Sequence, residues 1–431
     1  MLAATDFDSV FDADTREAVA SGLCVRCRGA QLLCGKARCP LLVRFDVQTK
    51  VRPLIDALDL EGASPPGVFV GRMGYPNVYV GPLVPPAHGD TSLLDSPERW
   101  VGRPIEDIVS FRSQLVRGMR RVKVTDVETA DRVIGMTREV ALAGDSPEIA
   151  ARFRKPPKSV LLLDDDVQPF GPSAPMEGLD LGTYRIDPHL DRATSDTDLR
   201  AGPAVVTLYR QGVPVTAIQR AFSVGAFGVR RDRKFVPTRW SITAVDDTLG
   251  KALRERVKEF PPINEVRVHE MNGHDDRFLV LLLPRSWRYE LIEAWYPRTL
   301  WNPTGQEVLM ISDSEGYAGR TTYASIGGCY YAARLAIAEA LERERRQASA
   351  VILRETHPGY LMPLGVWNVR EHVREALRRP PLRFDGLPEA LGYLSTRLDI
   401  VMSRWIRQSD VLRYGLRQRT LQDFADAPGM A

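Results

Sequence analysis

Four of the five cysteines, Cys24, Cys27, Cys34 and Cys39, fall within sixteen residues in the pattern C-x2-C-x6-C-x4-C. A chain that stays inside the cell rarely keeps disulfides, so so tight a cluster points to a metal. Four thiolates around one ion suit tetrahedral Zn²⁺ at a closed, structural position. The segment is too short to bury a core, and the metal would stand in for one. An iron–sulfur cluster is the rival tenant, although its usual cysteine spacings differ from this one. The fifth cysteine, Cys329, lies far away in Gly327-Gly328-Cys329-Tyr330 and is expected to pack as a small apolar side chain. Between Ser21 and Arg44 stand Arg26, Arg28, Lys36, Arg38 and Arg44, with no carboxylate among them. That surplus fits phosphate contact, and it equally fits neutralisation of the thiolate charge.

A second group that could do chemistry lies mid-chain. Arg230, Arg231, Arg233, Lys234 and Arg239 run into Thr238, Ser241 and Thr243 and then Asp246-Asp247; Asp196 and Asp198 precede them. A metal-dependent nuclease needs several carboxylates converging on Mg²⁺ or Mn²⁺, with cations to hold phosphate. Asp196, Asp198, Asp246 and Asp247 are the candidate carboxylates, and Arg233, Lys234 and Arg239 the phosphate ligands. The alternative is a strand-and-turn core whose acids cap helices and pair with arginines. His269 and His274, near Glu270, Asp275 and Asp276, are expected on a surface hairpin turning at Asn272-Gly273. No nucleophile-elbow, zinc-protease, kinase, phosphate-loop or dinucleotide signature is present, so catalysis is not established by the residues.

The third group is at the end of the chain. Gln418-Arg-Thr-Leu421-Gln-Asp-Phe424-Ala425 has the form Q-x-x-L-x-x-F, the spacing of sliding-clamp binding boxes. A 3₁₀ turn brings positions four and seven to one side, so Leu421 and Phe424 fill an apolar pocket while Gln418 hydrogen-bonds nearby. Ala425 stands where such boxes usually carry a second aromatic, which predicts weakened docking. An amphipathic helix packing Leu416 and Leu421 against its own core is the alternative.

These groups need a scaffold of several units. The chain has 431 residues, 44% hydrophobic and 26% charged, the composition of ordinary globular protein. The longest apolar run is Phe278 to Leu283, far below the roughly 20 residues a bilayer span requires. Met1 to Asp14 is acidic and lacks a signal pattern, which predicts a cytoplasmic protein, nucleoid-associated if it meets DNA. Net charge is only +3, so attraction to nucleic acid would have to be local. The 50 Arg against 8 Lys suit bidentate phosphate binding, or reflect a genome rich in G and C.

The pattern along the chain predicts an α+β protein with four segments. Residues 1–45 form an acidic leader and the zinc module. Residues 46–290 form a mixed, sheet-containing middle domain, 291–412 a more helical part, and 413–431 a flexible tail. Within them, helices are expected over Thr125–Leu142, Pro147–Phe153, Tyr331–Glu355, Trp367–Arg379 and Gly386–Ile406. Arg112, Arg117, Arg120, Arg121 and Lys123 mark a cationic helix or strand. A strand-and-turn region is expected after Asp198.

Zinc cluster and clamp box together resemble the archaeal Nre family of DNA repair proteins. The resemblance spans almost the whole chain and includes Gly74-Tyr-Pro-Asn-Val-Tyr-Val-Gly-Pro82, Gly171-Pro-Ser-Ala-Pro175, Ser195-Asp-Thr-Asp-Leu199, Lys234-Phe-Val-Pro-Thr-Arg-Trp-Ser-Ile-Thr-Ala-Val-Asp-Asp247 and Gly328-Cys-Tyr-Tyr-Ala-Ala-Arg334. It implies a role in DNA damage repair, a zinc finger at the four cysteines and docking on the archaeal sliding clamp (PCNA) through Gln418, Leu421 and Phe424. It lends no catalytic mechanism. Three functions follow as expectations: a clamp-recruited DNA repair factor, a phosphodiester-processing enzyme, and a scaffold that brings other repair proteins to the clamp.

Overall fold

The computed structural model describes residues 26–27, 31–33, 38–39, 42–43, 52–158, 170–299, 301–302, 305–361 and 364–417. The chain divides into two compact units, Met1–Leu249 with Leu361–Asn368, and Gly250–Tyr360 with Val369–Ala431. Each holds a six-stranded mixed sheet, so the α+β expectation holds.

In the first unit the strands are β1 (Asp59–Ala63), β2 (Val68–Val70), β3 (Asn77–Val84), β4 (Val116–Lys123), β5 (Glu148–Phe153) and β6 (Ser173–Leu181), in the order β1-β5-β6-β4-β3-β2. Only β4 and β6 run parallel; the other pairs are antiparallel. The alternation Asn77-Val-Tyr-Val explains β3: Val78 and Val80 go to the core, while Asn77 and Tyr79 stay exposed. Residues 147–153 are a strand, not the expected helix. Ile149, Ala151 and Phe153 are buried at period two, which is the pattern of a strand.

The helices of this unit are α1 (Ile105–Gln114), α2 (Arg132–Leu142), α3 (Pro188–Ser195), α4 (Ala201–Arg210), α5 (Val215–Ser223) and the first part of α6 (Thr238–Val257). Helix α2 starts seven residues later than Thr125 because Asp131 caps it, accepting from Val133 and Ile134 N–H at 3.0 and 3.4 Å. The stretch after Asp198 is helical rather than strand and turn. Pro203 sits in the first turn of α4 and Pro214 just ahead of α5, where no N–H partner is lost. Likewise Thr238 to Val245, expected as strand and turn, opens the 20-residue α6.

The second unit contains β7 (Val266–Gly273), β8 (Asp276–Leu283), β9 (Arg288–Trp295), β10 (Leu309–Glu315), β11 (Ser349–Thr356) and β12 (Leu382–Phe384), ordered β10-β9-β11-β8-β7-β12. Here β9 and β11 are parallel. Strand β11 is central and buries every residue. The helix expected over Tyr331–Glu355 therefore splits: α7 (Gly328–Glu344) ends at Arg345, which takes a left-handed conformation at φ 56°, and β11 begins at Ser349. Ala348 and Ile352 continue the helical spacing of Ala338 and Leu341, but the burial of Val351-Ile-Leu353 on both faces belongs to a central strand. Glu339 and Glu342 of α7 reach out to Arg374 (2.7 Å) and Arg256 (2.9 Å).

The β7–β8 turn is His274-Asp275, both at positive φ, the two-residue hairpin geometry. Asn272-Gly273 carried the stronger turn signal but lies in β7, where Gly273 has another purpose: a Cβ there would sit 2.3 Å from His372 Nε2. The hairpin is not a surface feature, since His269 and nearly all of β8 are buried.

One sheet face is covered by α9 (Leu387–Arg397), α10 (Met402–Gln408) and α11 (Asp410–Arg417). Ala390, Leu394, Trp405, Val411 and Leu412 pack there against Leu279, Leu281, Ile292, Val351 and Leu353. The helical region expected over Gly386–Ile406 is thus two helices, broken after Arg397. Helix α8 (Val366–Arg378) matches its expectation, and Arg413–Arg417 belongs to α11 rather than to a tail. Among the described residues no helix is long and apolar enough to cross a membrane.

Candidate functional site

Cys27 and Cys39 are the members of the cysteine cluster within the described residues; Cys24 and Cys34 lie outside them, as do Arg28 and Lys36. Cys27 is buried in a short helical turn with Arg26, and its Sγ accepts the Leu33 N–H at 3.5 Å. An amide aimed at sulfur favours thiolate over thiol, as a metal-bound cysteine requires. Neither Cys27 nor Cys39 is in a disulfide. At these two positions the donors are of the kind that zinc takes. Arg26 is exposed, and Arg38 forms an ion pair with Glu106, so part of the module's positive charge is already answered.

The mid-chain cations separate in their roles. Arg233 spends its guanidinium on backbone carbonyls, donating to Gly228 O (2.8 Å), Thr194 O (2.9 Å) and Asp196 O (2.6 Å). It fastens the end of α3 to the loop before α6 and is not poised for phosphate, the role expected of it. Arg230 is paired with Glu128 at 2.9 Å. Lys234 and Arg239 are exposed, on either side of the start of α6. The hydroxyls grouped with them are occupied: Thr238 Oγ1 accepts from Val70 N–H at 2.9 Å, Ser241 Oγ donates to Thr238 O, and Thr243 Oγ1 to Arg239 O.

The four candidate carboxylates are not gathered on one metal position. Asp196 ends α3 and accepts the N–H groups of Leu199 (2.9 Å) and Asp198 (3.0 Å), which hold its carboxyl below the usual range. Asp198 is exposed. Asp246 is buried on α6, where Gln219 Nε2 donates to it at 2.8 Å. Asp247, the next residue, is about 100° further round the helix. Among the described residues one group of three has ligand atoms close enough for an ion: Glu355, His357 and Asp399, in the second unit. A cation is already there. Arg277 donates to Glu355 Oε2 at 3.1 Å and Asp399 Oδ1 at 3.2 Å, and Glu355 also accepts Asp399 and Ile400 N–H. The trio reads as a strut between β11 and the loop after α9.

Buried charge is concentrated on the other side of β11. Arg354 donates to both Asp276 oxygens, the shortest contact 2.6 Å, and to Glu293 at 2.6 Å; Thr356 Oγ1 adds a bond to Asp276. Burial pushes the Glu293 carboxyl up, while Arg354 opposes the shift. Cys329 lies against Glu293, and burial pushes its thiol up, which disfavours the thiolate. A charge triad of this kind fixes strand pairing but offers no open position for a substrate.

One further surface exists only through strand pairing. The register pairs Tyr79 with Arg121 and Asn77 with Lys123, all on the outer face of β3 and β4. Its trace in the sequence is the alternation of β3, which turns Asn77 and Tyr79 outward. Tyr75 and Trp240 are also exposed, with ring centroids 5.4 Å apart.

The chain matches two family models, "Archaeal Nre, N-terminal" over residues 33–302 and "Archaeal Nre, C-terminal" over 315–424. It is 42% identical over 402 residues to "DNA repair protein NreB" of Archaeoglobus fulgidus, covering 93% of this chain and 99% of that protein. It is 36% identical over 377 residues to "DNA repair protein NreA" of the same organism (87% and 94%). "DNA repair protein NreA" of Haloferax volcanii is 36% identical over 389 residues (88% and 92%). With both halves matched and the relatives covered nearly end to end, this chain belongs to the archaeal Nre family.

Proposed function

We propose that this protein is a DNA repair factor that docks on the sliding clamp PCNA through Gln418, Leu421, Phe424 and Ala425. Its zinc module and Arg-rich surfaces contact DNA, and other repair proteins can be brought to the same place. The observation that carries the reading is the identity, nearly end to end, with proteins named for DNA repair. Box and zinc assignments add to it. The box lies outside the described residues and begins at the residue after α11, which ends at Arg417. Zn²⁺ held by Cys24, Cys27, Cys34 and Cys39 would be structural, and the Leu33 N–H on Cys27 supports that chemistry. No catalytic step is assigned: Asp196 and Asp246 are engaged with backbone amides and with Gln219.

The test is binding of the full chain to the clamp and to DNA. Replacing Leu421 and Phe424 by Ala removes both anchors, and affinity for the clamp falls roughly tenfold or more. Unchanged binding would end the clamp assignment. DNA affinity that declines steeply with salt supports direct contact; no measurable affinity leaves the recruiting scaffold. Metal analysis of the same preparation finds zinc, lost in the Cys24→Ser, Cys34→Ser variant.

A further inference from the structure

The first unit carries exposed aromatic rings beside exposed cations, and the hydrogen bonds explain why they converge. Gly71 N–H donates to Tyr79 O at 2.8 Å, holding loop 71–76 against the end of β3. Val70 N–H donates to Thr238 Oγ1 at 2.9 Å, bringing the first turn of α6 to that loop. Phe235 N–H donates to Val124 O at 2.8 Å, setting the approach to α6 beside the end of β4. Tyr75, Tyr79 and Trp240 are 48%, 41% and 46% exposed in this region, far more than large rings of a packed surface need.

Exposed cations stand beside these rings. Arg121 stands directly across from Tyr79, and Lys123 from Asn77. Neither cation enters an ion pair among the described residues. Arg239 precedes Trp240 in the first turn of α6, which contains no acid. Acids flanking the region in sequence are engaged: Asp126 accepts the Thr125 hydroxyl, and Asp232 lies 4.0 Å from Arg231.

A partner must supply both flat apolar faces and negative charge. A duplex offers phosphates, but its bases are stacked on one another and cannot cover tyrosine or tryptophan rings. An acidic peptide offers charge without flat faces. An unpaired strand offers both at each nucleotide. We propose that the outer face of β3 and β4, with loop 71–76 and the first turn of α6, binds single-stranded nucleic acid. Tyr75, Tyr79 and Trp240 stack on bases while Arg121, Lys123 and Arg239 meet phosphates. The site rests on the DNA-contact part of the function proposed above, and it gives that contact a location and a strand state.

The test uses the full chain with a fluorescent oligothymidine of about 20 nucleotides and the corresponding duplex, titrated at several salt concentrations. The unmodified protein binds the single strand more tightly than the duplex. Tyr79→Ala and Trp240→Ala each weaken single-strand binding roughly tenfold, with duplex binding little altered. The Arg121→Glu, Lys123→Glu variant binds more weakly and shows a shallower salt dependence. These side chains are exposed, and melting curves check that the variants stay folded. If the unmodified protein binds no DNA, both the platform and the DNA-contact reading fall. If it binds DNA but prefers duplex, or the aromatic variants bind single strand as before, the platform alone is overturned and DNA contact lies elsewhere.

Discussion

At the scale of single residues, the second unit holds ionisable groups against their ordinary chemistry. His274 is the clearest. Burial, with the positive potential of His372 added, pushes its imidazole down to about 4, although Asp276 pulls the other way. His269 in β7 shifts in the same direction, also by burial. The unfolded chain takes up the His274 proton near about pH 6.5, whereas the folded one resists until about 4. Protons therefore favour unfolding in that window: the stability is fully present above the unfolded value and is lost as pH falls toward the folded one. Unfolding of the second unit should move to lower denaturant as pH is lowered from about 7 to about 5. His274→Asn tests the assignment, because Asn tolerates φ 56° and does not titrate. Its stability should depend less on pH than that of the parent over this window, read from urea midpoints at each pH. Parallel pH curves for the two proteins would show that His274 is not the sensor.

Elements are held by contacts of a kind that sequence exposes unevenly. Asp131 illustrates one that was hidden. It caps α2 through two amides and accepts Arg120 Nε of β4 at 2.7 Å, so one carboxylate both starts a helix and fixes it to the sheet. Asp131→Ala should cost about 1–2 kcal/mol, the cap supplying most of it and the half-exposed ion pair little. Asp131→Asn keeps an acceptor for the cap and should cost less than half as much. Equal losses in the two variants, measured by urea unfolding, would assign the effect to the ion pair instead. What could be read beforehand follows the same logic. The α+β class, α8 and strands β7 and β8 were legible because their apolar period is local. The break between α7 and β11 was not, since Ala348 and Ile352 extend a helical stripe until pairing with both β8 and β9 is known. Asn272-Gly273 misled for a similar reason: the turn chemistry was right, but the approach of His372 claimed the glycine for the strand. The candidate site divides likewise. Cysteine spacing and the Q-x-x-L-x-x-F box are one-dimensional signals. The spent guanidinium of Arg233 and the pairing of Tyr79 with Arg121 exist only once distant segments are registered.

For the molecule as a whole, the position of the proposed clamp box relative to α11 decides how the protein can be dissected. Composition suggests a tail from Arg413 onward, yet α11 runs to Arg417 and is built into the second unit. Val411 and Leu412 are buried, Glu290 accepts the N–H groups of Asp410 and Val411, and Arg285 donates to Gly415 O at 3.1 Å. Tyr414 carries Arg288 over its ring at 3.9 Å. Burial keeps the Glu290 carboxyl raised, and Ser409 and those two amides are what compensate it. Removal of residues 414–431 would cut α11 in its middle turn, take away the Gly415 acceptor and loosen the segment that satisfies Glu290. Removal of 418–431 spares every one of these contacts. The longer deletion should therefore lower the melting temperature by several degrees, as a loss of about 1–2 kcal/mol does in a body of this size, while the shorter leaves it unchanged. On the function proposed here both deletions abolish clamp binding, so only the shorter one separates docking from folding. Equal melting temperatures for the two truncated proteins would mean that the last turn of α11, from Tyr414 to Arg417, adds nothing to the fold, and a lowered one for the shorter would mean that the box contributes to the body.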